Sequence, residues 1–240
     1  GDLDGIIIAT PPALHAEMTL AAIDRGVAVL VEKPMTLNLA EAETVLERAQ
    51  SRGAIVRVDH IHLYSAAWEA LKREAEGLGP LRAIIAEAGS KGPAHSRTPV
   101  LWDWGSHDVA MCIDLLGRLP EKATARRLEA RETEEGKGES LALSLDFGGV
   151  TASITIGDIL AQKKRLFTAT FEEGELVYDD MKDVKLWLRD APWQADPESD
   201  DGGYSVPLTD GRPLDRAILS FAAAIFRGAP DSEDVSLGTD

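Results

Sequence analysis

Apolar residues follow two different rhythms along this chain, and the rhythm changes near residue 60. Before that point, unbroken apolar runs alternate with stretches whose apolar residues recur every three or four positions. Ile6, Ile7, Ile8 and Ala9 form the first run and end at Thr10. Val27, Ala28, Val29, Leu30 and Val31 form the second, which drops without spacing into Glu32, Lys33 and Pro34. Residues 54–58 form the third, with Arg57 inside it. Runs without polar alternation predict strands covered on both faces, as in a parallel sheet. Between the first two runs, Leu14, Met18, Ala21 and Ala22 predict one helical face with Gly26 as its stop, and Pro11 and Pro12 suit the turn before it. Asn38 followed by Glu41 has the spacing of a capping box. Ala42, Val45, Leu46 and Ala49 then give a second helical face that ends at Gly53. Strands alternating with helices of this length imply right-handed crossovers.

Beyond residue 60 the pattern predicts a helix over 64–76, a strand over 81–88 and a loop over 89–101. Val109, Cys112, Ile113 and Leu116 mark a helix that ends at Gly117. Strands are expected over 122–130, 141–147, 150–156, 165–171, 175–178 and 184–188, and Phe147-Gly148-Gly149-Val150 is a hairpin signal. Leu141, Leu143 and Leu145 alternate with polar residues, so one face of this sheet is polar. Residues 191–213 read as a long loop rich in Pro, Asp and Gly. Ile218, Phe221, Ala222, Ile225 and Phe226 predict a last amphipathic helix before Gly228. The chain shows no internal repeat. It reads as half of a nucleotide-binding type of α/β domain followed by an α+β domain on a mixed or antiparallel open sheet.

Composition narrows the function. With 240 residues, 44% hydrophobic and 28% charged, the chain can bury the core of one large domain or two modest ones. Acids outnumber bases 41 to 25, for a net charge of −16 and a pI near 4.7. That balance argues against nucleic acid or an anionic membrane as partner, since both need a basic face. Cys112 is the single cysteine, so no internal disulfide forms, and a reducing, cytoplasmic compartment is expected. No apolar stretch reaches membrane-spanning length and no signal peptide is seen. Residue 1 is Gly rather than Met, and residues 231–240 are polar with no terminal element, so both ends read as cut.

Two groups of residues could carry chemistry. Ligands of open α/β sheets bind beyond the carboxyl ends of the strands. Glu32 and Lys33 stand at that edge, and Pro34 pushes Lys33 out of the helical region. Asp103 and His107 are four apart and share a face if helical, where a carboxylate can orient the imidazole and raise its basicity. Each also has a plainer reading as a solvated surface group. In a strand, His60 and His62 of Asp59-His60-Ile61-His62 would face the same way. No third ligand has suitable spacing, so no metal is expected. Trp102 and Trp104 suit either stacking on a sugar ring or core packing, and Lys163-Lys164-Arg165 suits a phosphate or carboxylate but reads more simply as a solvated turn.

In order along the chain come Ala9-Thr10-Pro11-Pro12 through His15, Val31-Glu32-Lys33-Pro34, and Trp102-Asp103-Trp104-Gly105-Ser106-His107-Asp108. Together they resemble the Gfo/Idh/MocA family of NAD(P)-dependent oxidoreductases, as does Glu173-Gly174-Glu175-Leu176-Val177-Tyr178-Asp179-Asp180. The resemblance implies an α/β plus α+β fold. Residues 1–60 would be the C-terminal part of a Rossmann domain, and 61–240 a substrate-binding and oligomerisation domain. It implies oxidation of a hydroxyl of a sugar, sugar derivative or sugar nucleotide, with NAD or NADP as cofactor. Lys33, Asp103 and His107 would be catalytic, with His107 as base and Lys33 as positioning group and proton-relay partner, roles that could be exchanged. Thr10, Pro11, His15, Glu32, Lys33 and Pro34 would meet the cofactor, though His15 equally suits a first-turn residue with no ligand. His62, Tyr64 and Trp102 would meet the substrate. A homo-oligomer would form through the second-domain sheet. After the third strand the family carries Asn and Arg, which this chain lacks, so the substrate stays open. No Gly-x-Gly-x-x-Gly occurs, the motif that brings backbone and a helix N-terminus to a pyrophosphate. In the family it precedes the strand at Ile6. Position 1 is therefore expected inside the cofactor domain, with weak or no NAD(P) binding by these residues alone. The competing reading is a non-catalytic binding or regulatory protein of the same fold, or an inactive fragment.

Overall fold

The three unbroken apolar runs form three parallel strands, β1 (Gly5–Ile8), β2 (Ala28–Glu32) and β3 (Val56–Asp59), paired in that order. The structure is a computed structural model and describes residues 3–92, 98–190, 203–231 and 234–235. It splits into two units, Gly1–Tyr64 with Arg212–Asp240, and Ser65–Gly211. β2 lies between the other two strands, and Ala28 to Val31 are all buried, which explains why its apolar run has no alternation. Val29 and Val31 pack with Ile8, Ile23, Val45 and Ala49, so α1 (His15–Ile23) and α2 (Leu39–Arg52) cover that face. Each fully buried Val or Leu is worth about 1.5–3 kcal/mol. α2 begins where Asn38 accepts a hydrogen bond from the Glu41 N–H at 2.9 Å and ends at Gly53 in the left-handed region. α1 is phased differently from the expectation. Its buried positions are His15, Ala16, Thr19, Ala22 and Ile23, while Leu14 sits exposed in a 3-10 turn (Pro12–Leu14) and Ala21 is exposed. Polar residues on the buried face shifted the apparent stripe.

A second 3-10 turn, Ile61–Tyr64, follows β3, so His60 and His62 do not alternate on a strand as expected. α3 (Ala66–Ala75) starts later than Tyr64, where the Ser65 hydroxyl accepts from the Ala67 N–H at 3.3 Å. Next come β4 (Leu81–Gly89), a π-helical turn (Leu101–Gly105) and α4 (Ser106–Leu116). The rest of the second unit is β5 (Lys122–Thr133), β6 (Gly136–Asp146), β7 (Thr151–Gly157), β8 (Lys164–Phe171), β9 (Gly174–Asp179), β10 (Leu186–Asp190) and β11 (Gly203–Ser205). Among the described residues these strands form one eight-stranded sheet, ordered β11-β10-β9-β8-β4-β7-β6-β5. β4 runs parallel to β7 and every other neighbouring pair is antiparallel, so the sheet is mixed. Gly136-Lys137-Gly138 opens β6 and pairs with β5. β5 is an exposed edge strand, guarded by charged side chains and a register shift between Arg127 and Glu129. Gly148 and Gly149 take φ of 67° and 99° in the turn from β6 to β7, which side chains with a Cβ rarely allow. Trp68 of α3 is fully buried and meets the Phe167 ring edge-on at 5.1 Å. Of the expected loops, residues 93–97 and 191–202 lie outside the described residues, as do 232–233 and 236–240 of the closing polar stretch.

α5 (Pro213–Arg227) belongs with the three-stranded sheet rather than with the segment it follows in sequence. Phe221 packs on Ala28 and Leu30, joined by Ile55 and Ile225. Its buried positions are Ala217, Phe221 and Ala224, whereas Phe226, expected on that face, is 91% exposed. Arg57 explains how a charge sits inside an apolar strand. Its guanidinium is fully buried and donates to Asp231 at 2.7 Å, Ser220 at 2.7 Å and Asp234 at 3.2 Å. The Val235 N–H donates to the Val56 carbonyl at 2.8 Å beside it. No described helix is long and apolar enough to cross a membrane.

Candidate active site

Parallel pairing brings the carboxyl ends of β2 and β3 level, with Glu32 opposite Asp59. Glu32 and Lys33 are half-buried and Pro34 is buried, with a cis Lys33–Pro34 peptide. Asp59 is 3% exposed, and its Oδ1 is buried with no hydrogen-bond partner. Burial, and then the charge of Glu32, push its carboxyl up to about 6. His60, next in sequence, is pushed down to about 4 by burial and then by the Lys33 charge, so it is neutral at pH 7. Asp59 is not among the site residues that the sequence singles out. The signal that could have singled it out is an acid ending one buried strand beside a neighbour that also ends in an acid.

On the neighbouring strand end, Thr10 is half-buried with its hydroxyl 3.5 Å from the Met18 sulfur, and Pro11 is exposed. His15 is buried beneath them. Its Nδ1 lies 2.8 Å from the Pro34 carbonyl and its Nε2 2.7 Å from the Thr10 carbonyl. The structure thus brings Thr10, His15 and Pro34 together. His62 and Tyr64 are half-buried in the 3-10 turn after β3. A cavity of about 410 Å³ opens at the other, amino ends of these strands, lined by Asp4, Gly26, Val27 and Gly53. Ligands of such sheets bind at the carboxyl ends, so Lys33 and not this cavity marks the candidate site.

In the second unit, Asp103 lies in the π-helical turn and His107 in the first turn of α4. The wider turn means that their spacing of four is not the α-helical spacing assumed from sequence. π turns are rare and recur at functional sites. His107 is 8% exposed, Asp103 half-buried, and Trp102 37% exposed. Behind His107, the next residue, Asp108, is 1% exposed and pairs with Arg165 of β8 at 3.0 Å. Burial pushes the Asp108 carboxyl up, against the pull of the guanidinium. Arg165 is therefore no part of a solvated turn. It is 5% exposed, and Lys164 pairs with Glu87 at 3.0 Å, which leaves Lys163 as the exposed member of the three. Sequence reasoning missed the Asp108–Arg165 pair because nothing local links residues so far apart. Among the described residues no three His, Cys, Asp or Glu side chains cluster as a metal site.

The strand ends of the first unit suit part of a dinucleotide. Asp59 Oδ1 is a leftover acceptor, and a carboxamide or ribose brings the donors it lacks. Thr10, Glu32 and Lys33 would line the same edge.

A family model described as an oxidoreductase family with an NAD-binding Rossmann fold, Gfo/Idh/MocA, matches residues 1–60. The chain is 26% identical over 218 residues to scyllo-inositol 2-dehydrogenase (NADP(+)) IolW of Bacillus subtilis, covering 86% of this chain and 60% of that protein. It is 29% identical over 250 residues to 1,5-anhydro-D-fructose reductase of Ensifer adhaerens, covering 93% of this chain and 70% of that one. A crystal structure from Magnetospirillum magnetotacticum MS-1, provisionally assigned as an oxidoreductase, is 41% identical with a TM-score of 0.86, covering 96% of this chain and 75% of that one. The chain thus spans 60% of the length of the B. subtilis relative.

Proposed function

Since the chain belongs to the Gfo/Idh/MocA oxidoreductase family, we propose that it is the catalytic body of an NAD- or NADP-dependent dehydrogenase acting on a hydroxyl of a sugar, sugar derivative or sugar nucleotide. The observation that carries this reading is the half-buried Lys33 at the carboxyl end of the central parallel strand, next to the level pair Glu32 and Asp59. A bound nicotinamide dinucleotide supplies the hydride acceptor. The chain's own residues do the rest. His107, largely removed from water, takes the hydroxyl proton as hydride leaves the carbon. Asp103 steadies the imidazole. Lys33 donates an N–H to the hydroxyl oxygen and relays the proton. Thr10, Pro11, Glu32 and Pro34 line the nicotinamide end, where Asp59 offers its unused acceptor. His62, Tyr64 and Trp102 bring rings and polar tips, which suit a ligand with alternating hydroxyl and C–H faces. The named relatives support a polyhydroxylated ring as substrate, one through an inositol and the other through an anhydro sugar.

The test uses the protein expressed from its complete reading frame. Inositols, aldoses and nucleoside-diphosphate sugars are offered with NAD and with NADP, and reduced nicotinamide is followed. Turnover on at least one polyol is expected. No turnover on any of them, with dinucleotide binding intact, favours the non-catalytic reading.

A further inference from the structure

α1 begins with a histidine that is 1% exposed and meets carbonyl oxygens with both ring nitrogens. Nδ1 lies 2.8 Å from Pro34 O, and Nε2 lies 2.7 Å from Thr10 O. A carbonyl oxygen accepts hydrogen bonds and never donates. Either ring nitrogen can carry the N–H, so the tautomer decides which carbonyl accepts, and the ring stands against both. The local sequence explains why a side chain must supply such a donor. Pro11, Pro12 and Pro34 have no backbone N–H, so the strand-end loops hold more acceptors than donors. A buried carbonyl left without a partner is costly. Thr10 follows β1, and Pro34 follows Lys33 at the end of β2, so a single ring ties together the ends of two adjacent parallel strands.

We propose that His15 is a main-chain clamp, a positioning residue that fixes the main chain beside Lys33 rather than a ligand of the cofactor. Both ring nitrogens face the main chain. The backbone of Pro34 is held at its carbonyl, and the lysine immediately before it inherits that constraint. Release of either carbonyl frees one wall of the site. The importance of the clamp for turnover rests on the proposed function, but the clamp itself does not.

Two measurements test the two parts separately. The first is nitrogen NMR on the 240-residue chain labelled at its histidine rings, at neutral pH, with His15 assigned by the signals lost in His15→Gln. At least one His15 ring N–H should exchange slowly with solvent, held on a main-chain carbonyl. Exchange as fast as in an exposed imidazole overturns the clamp, whether or not any variant folds. The second is steady-state turnover of His15→Gln in the complete protein. A glutamine carries its two N–H groups on one nitrogen and cannot span both carbonyls. A fall in kcat of about 100-fold is expected from loss of fixed geometry, with a much smaller change in the KM for dinucleotide. Wild-type kcat overturns the positioning role. If Lys33→Met also turns over normally, the proposed function falls, while the ring resonances still decide the clamp.

Discussion

Asp59 ties the candidate site to stability. Its carboxyl titrates near 6 in the folded chain, against 3.8 for the ordinary group, because burial and Glu32 disfavour the charge. The folded state therefore binds a proton that the unfolded chain has already released. Stability falls as pH rises from about 4 to beyond 6, by roughly 3 kcal/mol if Asp59 acts alone. Asp59→Asn removes the titration. In urea denaturation the variant should gain on wild type across that interval, and a difference independent of pH would contradict the assignment. His60 works in the other direction. Its folded form is held neutral down to about 4, so its cost appears as pH falls below 6.5. Lys33, Asp103 and His107 stand out in the sequence as candidates because each sits in a motif of fixed spacing. The burial of His15, Arg57, Asp108 and Arg165 was not, because a hydropathy pattern scores a polar side chain as exposed. Only partners remote in sequence make such burial tolerable, as Asp231 and Asp234 do for Arg57.

Helices and strands were readable where one local signal decided them. β2 followed from its unbroken apolar run, and α2 from its cap and terminal glycine. Asn38→Ala should cost about 1 kcal/mol in denaturant unfolding, because the Glu41 N–H loses its acceptor. A cost indistinguishable from zero would show the cap replaced by solvent. α1 was misphased because His15 and Thr19 share its buried face. The π-helical turn before α4 left no trace in a pattern of apolar spacing. α4 is held to β8 through Asp108 and Arg165. Asp108→Ala leaves a guanidinium buried and unpaired, at a cost of about 3–5 kcal/mol. Arg165→Met in that background should recover part of the loss, since it removes the stranded charge. Additive losses would contradict the pairing.

The fold class of the molecule was legible, but the routing of its chain was not. The change of rhythm near residue 60 separated parallel from mixed sheet. Nothing in the sequence indicated that β4 would lie between β7 and β8, since both partners come much later in the chain. Nor did the apolar face of α5 reveal that Phe221 packs on Ala28 and Leu30 of the first unit. The central claim is that Lys33 takes part in hydride transfer from a carbohydrate hydroxyl. The most direct measurement is steady-state turnover of Lys33→Met beside wild type, in the protein expressed from its complete reading frame, with dinucleotide binding measured separately. Loss of the donor at the reacting oxygen predicts a fall in kcat of about 1,000-fold with dinucleotide affinity nearly unchanged. A variant that turns over at the wild-type rate would contradict the account.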